Sequence, residues 1–367
     1  MKTITFPTCK ALVLLLASWC LLASAQAQML EESRSFTRTY RVDRNVTVDV
    51  SNKYGKIHFI NWNKDSVKVE VDVTISARHL EKLERLKGSI DFDFTQSTSY
   101  VTLHTLIKDT KNPFISDLES IFSQGTSVEI NYRIYLPGMA NLQVENKYGD
   151  VFCDKVSGDA YINLAHGDLR ASDFDGRDTR LQIRFGNARI NHLRNGRLDL
   201  QYVENFNLKK AGELNITSKS SNVYIDQADE LRLNSKRDEY HLQKVEKIKG
   251  DCGASNIMIE EVEKEIVLEM KYGLLEVEGF ANNFFYLNLD TRYTDLNFRL
   301  GNDFSYQLDL THKNVSLDYP QTLGNLDTKT AADDRTQNSI GVIGVNKSTS
   351  RKFRITAESC DVRFIHL

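Results

Sequence analysis

Between residues 140 and 318 one pattern returns about every eighteen residues, and that short, steady step limits what the chain can fold into. The clearest copies are ValGluAsnLysTyrGlyAspValPheCys (144–153), IleAsnLeuAlaHisGlyAspLeuArgAla (162–171), LeuGlnIleArgPheGlyAsnAlaArgIle (181–190) and LeuGluMetLysTyrGlyLeuLeuGluVal (268–277). With the turn glycine as position zero, the zero positions are Gly149, Gly167, Gly186, Glu204, Ser221, Asp238, Ser255, Gly273, Thr294 and Lys313. The steps between them are 18, 19, 18, 17, 17, 17, 18, 21 and 19 residues. Positions +2 and +4 are apolar almost throughout, from Val151/Cys153 and Leu169/Ala171 through Val223/Ile225 and Tyr240/Leu242 to Ile257/Ile259, Leu275/Val277 and Val315/Leu317. A second apolar pair lies at −7 and −5, as in Leu214/Ile216 and Ile266/Leu268. Such alternation marks strands with one buried face, so each repeat holds two short strands joined by a turn.

A unit this short cannot close a core alone, but stacked copies can, each burying its apolar row on its neighbours. The expected fold is all-β: a single-stranded parallel β-solenoid, or β-helix, with like positions about 4.8 Å apart. Right-handed coiling is the default for parallel crossovers. A sandwich or barrel of short strands is the competing architecture at this spacing.

Stacking would line up three further rows. Position −1 is often a ring (Tyr54, Tyr148, His166, Phe185, Tyr272, Tyr293), −2 is often basic (Lys147, Arg184, Lys219, Lys236, Lys271, Arg292), and +1 is mostly Asp, Asn or Glu. Position zero suits glycine if the turn needs positive φ there. Read structurally, the rings fill a corner, the amides bond along the stack and the opposite charges offset repulsion. Read functionally, the rings form a platform for sugars beside a charged face. On that second reading the candidate binding residues are Asp150, Asp168, His166, Arg184, Tyr148, Tyr272 and Tyr293.

Residues 1–27 have the form of a secretory signal, with Lys2 and Lys10, an apolar run Ala11–Ala23 and a small-x-small site at Ala25–Ala27. That run is too short for a membrane span, and no later stretch could cross a bilayer as a helix. Residues 28–140 read as a cap of strands with two short helices, near 79–87 (Leu80, Leu83 and Leu86 on one side) and within 108–126 (Ile115, Leu118, Ile121 and Phe122). A further copy of the repeat, with Gly55 at zero, lies inside the cap. Residues 141–367 carry the repeats, interrupted at 319–350 by a flexible insertion rich in Thr, Asn, Asp and Gly. The net charge of −3, or −5 without the two leader lysines, and the lack of a basic domain speak against nucleic acid. Cys153, Cys252 and Cys360 fall in different repeats, and neither a disulfide framework nor a metal site has the required spacing.

TyrArgIleTyrLeuPro (132–137), AsnLysTyrGlyAspVal (146–151), HisGlyAspLeu (166–169), the short-strand repeats after them and the glycine-flanked lead into a last copy (340–364) together resemble the bacterial putative-adhesin family of β-strand-repeat domains. They are also similar to the related auto-transporter adhesin head domain. The resemblance runs from about residue 36 to the end and implies a secreted or envelope-associated protein of Gram-negative bacteria. It supplies no catalytic residues. The helical inserts depart from the plainer members.

The expected function is therefore a non-enzymatic adhesin-like binding or scaffold module of the periplasm, outer membrane or cell surface. Its partner would be an envelope or surface protein or a glycan, with no cofactor, and a homodimer could form through a terminal strand edge. The enzymatic alternative is a polysaccharide lyase or glycoside hydrolase using Asp150, Asp168, Asp173, Asp175, His166, Arg170, Arg184 and Arg189, since stacked carboxylates about 5 Å apart suit a retaining mechanism. A cation in that cluster, or a role as periplasmic partner of an envelope signalling system, are further alternatives.

Overall fold

The computed structural model describes residues 29–108, 125–331 and 335–366. The expected leader and the expected helix near Ile115–Phe122 lie outside the described residues. The alternating stretches form strands β1 (Leu30–Arg41), β2 (Thr47–Lys53), β3 (Ile57–Trp62) and β4 (Ser66–Ala77), followed by the helix α1 (Leu80–Ser89). Next come β5 (Ile90–Gln96), β6 (Tyr100–Ile107), β7 (Thr126–Pro137), β8 (Asn141–Lys147), β9 (Val151–Val156), β10 (Ala160–Ala165), β11 (Leu169–Phe174) and β12 (Thr179–Arg184). The longer β13 (Ala188–Gln201), β14 (Phe206–Lys219), β15 (Asn222–Lys236), β16 (Glu239–Gly253), β17 (Asn256–Val277) and β18 (Tyr286–Leu300) each carry both legs of the pattern. The chain ends in β19 (Tyr306–Lys313), β20 (Ser316–Asp318), β21 (Asp327–Thr330), β22 (Thr336–Ile343), β23 (Lys352–Glu358) and β24 (Asp361–His366). In α1, Leu83 and Leu86 are buried, whereas Leu80, expected beside them, faces solvent.

The protein is all-β apart from α1 and a short 3₁₀ turn among the described residues, and its strands join in a long mixed sheet that does not close. Through the middle, each repeat lies parallel on the one before and in register. Leu169 pairs with Val151 and with Ala188, Ala188 with Phe206, Phe206 with Val223, Val223 with Tyr240, and Tyr240 with Ile257. All of these +2 side chains are buried, as are the +4 residues Ile225, Leu242, Ile259 and Val277. Full burial of one such aliphatic or aromatic group contributes about 1.5–3 kcal/mol, so the recurring rows hold the stack together. The wholly parallel expectation gives way at both ends, where β4 runs antiparallel to β1 and β7, and β22 antiparallel to β19 and β21. The insertion at 319–350 is thus strand-paired along Asp327–Thr330 and Thr336–Ile343. Alternation is masked there by Thr, Asn and Ser on both faces, with Ser339 and Ile343 the buried members.

Spatial order departs from sequence order at each end. The repeat formed by β2 and β3 stacks in register on β8 and β9, with Val48 opposite Leu142 and Ile57 opposite Val151. At the far end β23 and β24 pair with β18 on one side and with β19 and β20 on the other. The last repeat in sequence therefore sits between the two that precede it.

The turn differs from expectation in one instructive way. Positive φ falls at −1, on the rings themselves: Tyr54, Tyr148, His166, Phe185, Tyr272 and Tyr293 all have φ between 53° and 65°. The glycines at zero are instead enforced by close approach. A Cβ on Gly149 would lie 2.0 Å from the Gly55 carbonyl oxygen, and one on Gly167 2.1 Å from that of Gly149. Positive φ also corrects two zero positions, to Val203 and Val315, each following a left-handed residue (Tyr202, Asn314). Leu317, not Val315, is then the residue in register with Val362.

At Ser221, Asp238, Ser255 and Thr294, small polar side chains fill the corner in place of glycine. Asp238, 4 % exposed, accepts hydrogen bonds from Ser218 Oγ (2.6 Å), Ser235 Oγ (2.7 Å) and the Lys236 and Ser221 backbone N–H groups (2.8 Å each). A buried carboxylate is tolerable when its lone pairs are filled in this way.

Candidate functional site

Parallel stacking in register turns position −1 into a continuous row of rings on the outside of the turn. Tyr54 stacks on Tyr148 (5.3 Å between centroids), Tyr148 on His166 (4.9 Å), His166 on Phe185 (4.8 Å) and Phe185 on Tyr202 (5.0 Å), with interplanar angles from 2° to 15°. Tyr202 was missed in the sequence because the frame there slips by one residue; the left-handed turn it occupies is the marker. A second, separate stack joins Tyr272 and Tyr293 (5.1 Å, 4°). Between the two stacks the −1 positions are Ser220, Arg237 and Ala254.

These rings stand out into solvent: Tyr148, Phe185, Tyr202, Tyr272 and Tyr293 are all exposed. Because neighbours cover each other's faces, an intact stack offers partners only ring edges, and a free face exists only where the row is broken. The −2 row supports the rings electrostatically. Lys147 Nζ lies 4.8 Å and Lys53 Nζ 6.0 Å from the Tyr148 centroid, and Lys219 Nζ lies 5.6 Å from that of Tyr202. Cation–π attraction needs an open ring face, so among these contacts only that of Lys219 with Tyr202, at the end of the row, draws on it, for about 0.5–1 kcal/mol. Arg184 points elsewhere, donating from Nη2 to Asn163 Oδ1 at 3.0 Å.

The charged cluster does not gather into one centre. Asp150 Oδ1 accepts the Asp168 backbone N–H (3.0 Å), and Asp168 Oδ1 accepts the backbone N–H (3.0 Å) and Nδ2 (3.1 Å) of Asn187. Both carboxylates thus satisfy turn amides of the next repeat, a task that the close approach of the glycines leaves to side chains. His166 belongs to the ring row. Asp175 is on a different part of the surface, bonded to Lys155 Nζ (2.7 Å) and His192 Nδ1 (3.1 Å), and the Lys155 bond holds its carboxyl below the usual range. Arg170 lies over the Phe152 ring at 5.7 Å. Among the described residues no group of three or more His, Cys, Asp or Glu side chains is placed to hold a metal ion. The thiols of Cys153, Cys252 and Cys360 are buried, and burial pushes that of Cys252 up to about 12 and that of Cys360 up to about 11. Among the described residues no helix is long and apolar enough to cross a membrane.

No family model matches the chain, and no curated protein matches it. Among solved structures it is similar to a "putative cell adhesion protein" from Clostridium sporogenes, at 7 % identity over 93 % of this chain and 100 % of that one, with a TM-score of 0.17. It is similar to a "putative adhesin" from Parabacteroides distasonis at 9 % identity over 73 % of this chain and 97 % of that one (TM-score 0.32). A "putative lipid binding protein" from the same organism matches at 11 % identity over 72 % and 96 % (TM-score 0.31). Most of these neighbours carry the adhesin description that the motifs at 132–137, 146–151 and 166–169 resemble.

Proposed function

We propose that the chain is a β-solenoid that serves as a non-enzymatic, adhesin-like binding module of the secreted or envelope compartment, gripping a protein partner along the ridge from Tyr54 to Tyr202. On this reading residues 28–140 cap the stack and residues 141–367 continue it. The observation that carries the proposal is the row of five stacked rings, four of them exposed and Tyr54 half-buried: aromatic side chains are enriched where proteins meet partners. Stacking of a sugar ring needs an open aromatic face, so glycan would be taken only where the row stops. The carbohydrate-active alternative is not favoured, since Asp150 and Asp168 are engaged by backbone amides. The test is binding of the mature chain to isolated envelope fractions and to a glycan array, comparing wild type with Tyr148→Ala/Phe185→Ala/Tyr202→Ala. Loss of protein-dependent retention is expected; unchanged retention, or hydrolysis of a polysaccharide that disappears in Asp168→Ala, overturns the reading.

A further inference from the structure

The break in the ring row between Tyr202 and Tyr272 holds a surface depression of about 490 Å³. Its centre is Gly253-Ala254, where the −2 and −1 side chains are missing from the same repeat. Lys236 and Arg237 flank it on one side, and Lys271 and Tyr272 on the other, in register with it. Packing does not enforce the gap. A Cβ on Gly253 would meet only the Ser235 carbonyl oxygen at 3.9 Å, quite unlike the turn glycines, and Ala254 (φ 55°) has the backbone on which Tyr272 (φ 60°) carries a ring. Tyr272 is 61 % exposed; one face is covered by Tyr293 and the other looks into the depression.

We infer that this depression is a binding site for a flat aromatic anion, which takes the place of the missing ring. The guest stacks on Tyr272 as the built-in rings stack on one another, with the Arg237 guanidinium toward its other face. Its carboxylate or sulfonate meets Lys236 and Lys271, whose charges and that of Arg237 outnumber the two carboxylates of Asp251 and Glu269 that also line the site. The site stands apart from the ridge proposed above, so the two can fail separately.

The probe is 2-naphthoate, titrated into the mature chain by calorimetry, with cyclohexanecarboxylate and glucuronate as non-aromatic acids of the same charge. Saturable binding of naphthoate alone is expected, weakened about tenfold by Tyr272→Ala, the loss of one ring contact and its packing. Ala254→Tyr, which supplies the absent ring from the chain itself, should fold with an unchanged or higher Tm and abolish binding, while Tyr148→Ala should leave binding as in wild type. A free aromatic acid and a peptide with a C-terminal aromatic residue offer the same chemistry; titrating a Gly-Gly-Phe peptide beside its C-terminal amide tells them apart. Absent saturation, equal binding of either non-aromatic acid, or undiminished binding by Ala254→Tyr would overturn the inference.

Discussion

At the scale of single residues, identical letters in the repeat do different work. Gly149, Gly167 and Gly186 have no room for a Cβ, whereas Gly253 has, and Gly88 near the end of α1 has nothing within 4 Å of where one would go. Gly167→Ala is therefore expected to lose about 2–4 kcal/mol, because the clash is with Gly149 backbone, which cannot yield without moving the preceding repeat. Gly88→Ala should gain about 0.5–1 kcal/mol through backbone entropy alone. Urea denaturation of the two variants checks both signs. The recurrence of glycine was plain in the sequence, but its cause was not. Positive φ and close approach favour the same residue, and only the position of the left-handed turn, one residue earlier, separates them. The same ambiguity hid Tyr202, since an extra residue after the turn shifts the apolar positions without shifting the ring.

At the scale of elements, the buried rows were legible because strand periodicity is two and one face is dry. The antiparallel pairings were not, because alternation carries no strand direction, and β22 in addition opens on Thr-Gln-Asn-Ser before any apolar residue. There His312 of β19, 8 % exposed, meets Ser339 Oγ of β22 at 3.0 Å through Nε2, and burial lowers its pKa. A histidine with a depressed folded pKa stabilises the fold above about pH 6.5, and that stability is lost as pH falls below it, since the unfolded chain binds the extra proton. His366, lowered for the same main reason, adds to the slope. Melting temperatures at pH 7.5 and pH 5 should therefore differ, and His312→Gln should shrink the difference. An equal drop in wild type and variant would place the sensitivity elsewhere; the carboxylates with lowered pKa values, Glu70, Asp91, Asp175 and Asp178, act mainly at more acidic pH.

For the molecule as a whole, the candidate face was readable only in outline. Stacking predicted a row of rings, and Tyr148 and His166 are in one stack and Tyr272 and Tyr293 in another; which ring faces remain open to a partner depends on where the row is interrupted. The repeat of β23 and β24 is held between two others, with Phe353 fully buried among Phe284, Phe298, Phe304 and Tyr306. Phe353→Ala should cost about 3–5 kcal/mol and loosen β18 and β19 together, visible as one cooperative transition at lower denaturant. Two transitions would mean that the end of the stack melts by itself.

That interleaving sets an order on assembly. Strands β19 to β22 cannot settle against the growing stack until the segment that lies beneath them has been made, so a ribosome-bound chain stopped near residue 345 is missing an internal layer and not merely its tip. Such non-local closure slows folding. It also makes the outermost strands the last to acquire protection, which would keep this end unfinished for as long as synthesis is under way.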